Sequence, residues 1–111
     1  FLTQVVSHHD RPAVERFIGE TDRRGLGLPG VFGVFYYRSA NPKTMSVLRQ
    51  FLPVPVEGLT REFAAGESAD EICARTIRAL RQAGVRHVYV SNLPIGKTRQ
   101  TLARVMELAG T

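Results

Sequence analysis

The chain has 111 residues, 43% hydrophobic and 23% charged, with a net charge of +5 and a single cysteine. That length and balance fit one globular domain over residues 1–111 and exclude disorder and collagen. A disulfide scaffold is excluded too, because Cys73 has no partner in the chain, and a lone cysteine fits the reducing cytoplasm. No apolar run approaches the roughly 18 residues of a membrane span, and the N-terminal segment is too charged for a signal peptide.

The charge is unevenly placed. Residues 1–70 carry eight basic and eight acidic side chains, whereas residues 71–111 carry seven basic and two acidic ones. Thirteen of the fifteen basic residues are arginine, and Arg23-Arg24 is the only adjacent pair. A phosphate-tracking surface clusters its cations and interleaves aromatics. The last forty residues hold one aromatic, Tyr89, so the arginines read as solvated helix faces rather than a nucleic-acid surface.

In chain order, Phe1–Val6 is β-rich and short. Asp10 is placed to cap a helix with Pro12 in its first turn and Gly25 as its stop. Val14, Phe17, Ile18 and Thr21 share one face of that helix, while Glu15, Arg16, Glu20 and Arg23 point away. The second unit starts at Leu28, and Val31–Tyr37 is an apolar, aromatic strand. Asn41-Pro42 opens a helix predicted to reach about Phe51. Leu52–Gly58, with two prolines, reads as a loop and Leu59–Ala65 as a short helix. Ser68-x-x-Glu71 is a capping box. The helix it opens sets Ala69, Ile72, Cys73, Thr76, Ile77, Leu80 and Ala83 on one arc, opposite Arg75, Arg78 and Arg81, and ends at Gly84. Arg86–Ser91 is the third strand, Asn92–Gly96 a loop, and the last helix gathers Leu102, Val105, Met106 and Ala109 on one face. Strands alternating with amphipathic helices predict parallel β/α units. Three such strands with helices on one side need more strands, or form the end of a closed barrel.

Ligands of parallel β/α folds sit at the carboxyl ends of the strands. The first such segment holds Gln4, Ser7, His8, His9 and Asp10. His-His-Asp has metal-binding chemistry, but neighbouring histidines on an extended strand point in opposite directions, and no other histidine or cysteine is close in sequence. Solvated loop histidines beside a capping aspartate are the expectation. Gln4 is an amide in a strand otherwise rich in Phe, Leu and Val. If buried it must be hydrogen-bonded, either to a neighbouring loop or to a heterocycle offering both donors and acceptors. Gly96-Lys97-Thr98 ends like a phosphate-binding P-loop, yet Ser91 stands where the first glycine belongs and Pro94 interrupts the cradle. What remains is a helix entry whose amides can meet an anion. Cys73, on the apolar arc, reads as a core residue.

Several motifs occur in an order and spacing that resemble the methylenetetrahydrofolate reductase family. FLTQ (1–4) resembles the end of the family's sixth barrel strand, and ERF (15–17) with Gly25 its sixth helix. LPGV (28–31) is similar to the opening of the seventh strand. Gly84-Val85 and HVYVSN (87–92) resemble the eighth strand. The resemblance implies the C-terminal fragment of a (β/α)8 TIM barrel, its last three β/α units, in a longer protein whose first five strands carry the catalytic carboxylates and most of the flavin contacts. It implies an oxidoreductase of one-carbon metabolism that passes a hydride from NAD(P)H through FAD to methylenetetrahydrofolate. Gln4 would touch the folate and the nicotinamide, and Thr44 and Asn92 would align with substrate-contacting positions. The chain departs from the family at Gly33, where a proline is usual, and at Leu93, where an arginine follows the asparagine. The alternatives are a barrel protein that has lost the folate site and serves as a binding or structural domain, or an unrelated basic β/α domain that binds anions or nucleic acid. The expected partner is a small-molecule folate, with self-association open and no membrane.

Overall fold

The computed structural model describes residues 2–23 and 30–110. Three strands, β1 (Leu2–Val6), β2 (Val31–Phe35) and β3 (His87–Ser91), form one parallel sheet in the order β1-β2-β3. Helix α1 (Arg11–Arg23) follows β1 and α5 (Thr98–Leu108) follows β3. Between β2 and β3 run α2 (Pro42–Leu48), α3 (Val56–Ala64) and α4 (Ala69–Gln82). The alternation read from the sequence is the alternation observed.

Side-chain register decides which face is covered. Val6, Val34 and Val90 are laterally paired, as are Phe32 and Val88. All five join a core built with Val14 of α1, with Cys73, Ala74, Ile77 and Leu80 of α4, and with Val105 of α5. Helices α1, α4 and α5 therefore share one face of the sheet. A second core, Tyr37, Met45, Leu59 and Ile72, ties α2 and α3 to α4 beyond the end of β2. Burial pushes the Tyr37 phenol up to about 12.

The opposite face carries Val5, Gly33 and Tyr89 in register. A Cβ on Gly33 would lie 2.5 Å from the Tyr89 Oη, so glycine lets the tyrosine ring cross β2. There Tyr89 Oη donates to the Thr3 carbonyl at 2.6 Å. Thr3 Oγ1 in turn accepts from the Gly33 N–H at 3.1 Å, filling the gap left where the β1–β2 register slips between Leu2 and Val5. A glycine at position 33 thus has a packing reason of its own.

The capping box of α4 is present, with Ser68 Oγ accepting from the Glu71 N–H and Glu71 Oε1 from the Ser68 N–H. Asn41 caps α2 through the N–H groups of Lys43 and Thr44, with Pro42 in the first turn. Gly84, at φ +98°, ends α4 in the left-handed region that glycine tolerates. Several expectations need correction. Helix α2 stops at Leu48 instead of Phe51, where the chain tightens into turns in which the Gln50 N–H donates to the Val47 carbonyl and the Phe51 N–H to that of Leu48. Helix α3 starts at Val56, inside the expected loop, since Pro55 at its N-cap lacks only an N–H that a helix start does not use. Asp10 is exposed and ends a 3-10 turn, His8–Asp10, which Ser7 caps by accepting from the His9 N–H. Phe17 is 44% exposed and makes an edge contact with Phe32 of the core. The Gly25 stop and the Leu28 start lie outside the described residues.

Candidate functional site

The 3-10 turn after β1 changes the reading of the two histidines. On an extended strand their rings would diverge. In the turn they lie side by side, with ring centroids 3.9 Å apart, and both face Glu62 of α3. His8 Nε2 lies 2.8 Å from Glu62 Oε2, and its Nδ1 lies 2.7 Å from the Thr76 hydroxyl of α4. His9 Nδ1 lies 2.6 Å from Ser7 Oγ. His9 Nε2 is 2.6 Å from Glu62 Oε1, but the angles do not make a hydrogen bond, and among the described residues neither buried atom has a hydrogen-bond partner. The His9 ring rests on Gly58, one turn before Glu62, where an added Cβ would fall 2.2 Å from the ring.

Arg75 completes the cluster. It donates to Glu62 Oε2 and bridges to both oxygens of Glu67. The helical wheel sets Arg75 opposite the apolar arc. Its side chain is instead half-buried at the junction of α3 and α4, drawn there by two carboxylates. Glu62 itself is 9% exposed. Burial raises the Glu62 carboxyl, but the His8 hydrogen bond and the charges of His8, His9 and Arg75 outweigh it, and the net direction is downward. Burial, as the largest influence, holds the His8 imidazole below its usual value of 6.5. The pair therefore favours a neutral His8 beside an ionised Glu62.

Both shifts act on stability in the same direction. A group whose pKa is lower in the folded than in the unfolded state stabilises above its unfolded value, and that stability is lost as pH falls through the folded value. For His8 the loss sets in below pH 6.5, and for Glu62 in the carboxylate range beneath. Denaturant midpoints measured from neutral pH down to about pH 4 are expected to fall, and to fall less steeply in His8→Gln, which removes the imidazole that titrates across most of that range. A wild-type midpoint flat over that range would contradict this account.

The residues singled out by sequence fall around three cavities. Gln4 is exposed, not buried, so its amide needs no internal partner. It lines a cavity of about 270 Å³ with Phe35, Tyr89 and Ser91. It also lines a cleft of about 610 Å³ along β1, floored by Val14, Phe17 and Phe32 and reached by His9. Thr44, exposed on the first turn of α2, and Asn92 share a third cavity with Tyr37 and Arg38. Asn92 takes the left-handed conformation, φ 70°, and its Nδ2 donates to the Tyr36 carbonyl at 3.0 Å. Gln4 does not line the Thr44–Asn92 cavity, although Phe35 lines that cavity and the 270 Å³ one.

Cys73 is buried, and burial pushes its thiol up to about 12, which leaves it a core residue. Lys97 and Thr98 are exposed at the start of α5, with the Thr98 hydroxyl donating to Pro94. Three arginines of the basic C-terminal part have intramolecular tasks: Arg75 binds two glutamates, Arg78 donates to the Leu108 carbonyl and Arg104 pairs with Asp70. Among the described residues no helix is long and apolar enough to cross a membrane.

With this geometry the chain is an α/β protein built on a three-stranded parallel sheet. Comparison with protein-family models, with curated proteins and with solved structures finds no match.

Proposed function

We propose that the chain forms the last three β/α units of a (β/α)8 barrel in a methylenetetrahydrofolate reductase-like oxidoreductase. The observation that carries this reading is the state of the sheet. Its strands run parallel in sequence order, helices α1, α4 and α5 cover one face, and the outer edge of β1 borders the 610 Å³ apolar cleft. Among the described residues no strand pairs with that edge, and a parallel edge with an apolar flank suits a further strand and helix, since parallel sheets are covered on both sides or closed into barrels.

The ligand side of the reading rests on Gln4. The small cavity it shares with Phe35, Tyr89 and Ser91 offers an amide, two aromatic side chains and a hydroxyl, which suits one edge and face of a planar heterocycle. These residues fit part of a pocket for a pterin or nicotinamide. They provide no cradle for the phosphates of FAD, whose site this reading assigns to the other barrel strands. Bound FAD supplies the relay of hydride from NAD(P)H to the folate; the part of this chain is to bind and orient the ring.

In the full-length protein, Gln4→Ala is expected to lower kcat/KM for methylenetetrahydrofolate about tenfold to a hundredfold while the protein keeps its flavin colour. The lost hydrogen bonds are worth roughly 1–3 kcal/mol, and each 1.4 kcal/mol is about a factor of ten. Steady-state folate reduction measures it. Unchanged kinetics would remove Gln4 from the site.

One observation favours the second reading, a barrel that has lost its folate site. Leu93, at the position of a family arginine, packs against the main core instead of lining a cavity with Asn92. A colourless wild type that neither binds nor reduces folate would establish that alternative.

A further inference from the structure

The cluster of His8, His9 and Glu62 has a feature that the barrel reading does not use. His9 Nδ1 sits 2.6 Å from Ser7 Oγ, an oxygen that already accepts from the His9 N–H. With the proton on Nδ1, the Nε2 lone pair points off the line to Glu62 Oε1, an electron-rich oxygen 2.6 Å away. With the proton on Nε2, the angle to Oε1 is too poor for a hydrogen bond, and among the described residues neither buried atom has another partner. Two buried electron-pair donors this close, and not aimed along the line between them, are stabilised by a cation set off that line where both reach it.

We propose that His8, His9 and Glu62 form a binding site for a divalent first-row transition-metal cation, of which zinc is the representative. The donors are the two imidazole Nε2 atoms and Glu62 Oε1. The candidate donor atoms lie within 4.8 Å of one another. A tetrahedral ion with bonds of about 2.0–2.1 Å sets its ligand atoms roughly 3.3 Å apart, so His9 Nε2 and Glu62 Oε1, now 2.6 Å apart, must open by roughly 0.7 Å. Two imidazoles and one carboxylate select zinc and its neighbours over calcium or magnesium, which require oxygen shells.

The surroundings support the ligands as a metal site requires. Each histidine has its other ring nitrogen against a hydroxyl, Thr76 for His8 and Ser7 for His9, which fixes the rings; at His8 the cation takes the place of the Nε2–Glu62 Oε2 hydrogen bond. Arg75 engages Glu62 on Oε2, leaving Oε1 to the cation. Glu67 balances the arginine, so Glu62, Glu67 and Arg75 together carry one net negative charge toward a dication. Three protein ligands leave a fourth position to a water molecule, and His9 lines the cleft beside β1. The site stands or falls independently of the folate reading.

The test is calorimetric titration of tag-free, chelator-stripped full-length protein with Zn²⁺, together with the visible spectrum of the Co²⁺ form. One zinc per chain is expected, with the intense visible bands of four-coordinate cobalt. His9→Ala and Glu62→Gln should each weaken zinc binding by more than about 100-fold, and Ser7→Ala by roughly 10–100-fold, as loss of a supporting hydrogen bond does. His87→Ala, at the chain's one other histidine, exposed on β3, should change nothing. No zinc uptake by the wild type, six-coordinate aqueous-type cobalt bands, or affinity unchanged in His9→Ala would each overturn the proposal. Should a variant fail to fold, the wild-type stoichiometry and cobalt spectrum decide it.

Discussion

Ile77→Ala is expected to cost about 2–5 kcal/mol of unfolding free energy, the range for emptying a large aliphatic site in a packed core. Ile77 is 0% exposed, and around it the main core joins α4 to Val34 of the sheet and to Val105 of α5. The neighbouring Arg78→Ala is the control. Its side chain is exposed, but its guanidinium donates to the Leu108 carbonyl, at the last turn of α5. Cations at a helix C-terminus are worth about 0.3–1 kcal/mol, which sets the expected loss. Denaturant unfolding of both variants measures the contrast, and equal losses would mean that the buried face of α4 has been misassigned.

The second large effect is expected from Gly58→Ala. On an exposed helix this change would add roughly 0.5–1 kcal/mol of stability, because glycine is the poorer helix former. Here the new methyl carbon would meet the His9 ring at 2.2 Å for Cδ2 and 2.5 Å for Nε2. The ring must leave, and with it go the Ser7 contact and the approach to Glu62. Overpacking costs about 1–3 kcal/mol, which outweighs the helical gain, so a net destabilisation of roughly 1–2 kcal/mol is expected. Thermal or denaturant unfolding checks the sign. A stabilised Gly58→Ala would show that His9 is not seated on α3, and the metal site would lose one ligand with it.

Part of this molecule is written in short-range sequence. The Ser68–Glu71 box, the Asn41-Pro42 start and the apolar arc of α4 with Ile72, Cys73, Ile77 and Leu80 are all present as the spacing predicts. The parallel order β1-β2-β3 follows from the alternation of strand and helix patterns. Caps and amphipathic faces depend on residues three or four apart, so a linear reading reaches them.

The site is a different matter. His8 and Glu62 are separated by 54 positions, and Thr76 stands 68 beyond His8. On an extended strand His8 and His9 point apart, whereas the 3-10 turn capped by Ser7 turns the two rings together. One signal was available: Ser7 ahead of His8-His9-Asp10 is a capping serine before a turn. Nothing in the sequence placed Gly58 under His9 or drew Arg75 from the polar face of α4 to Glu62 and Glu67. Local periodicity determined the elements and the faces they bury. Which polar groups meet was decided by how α3 and α4 pack across the end of β1, because contacts between elements distant in the chain depend on packing geometry that no short window of sequence contains.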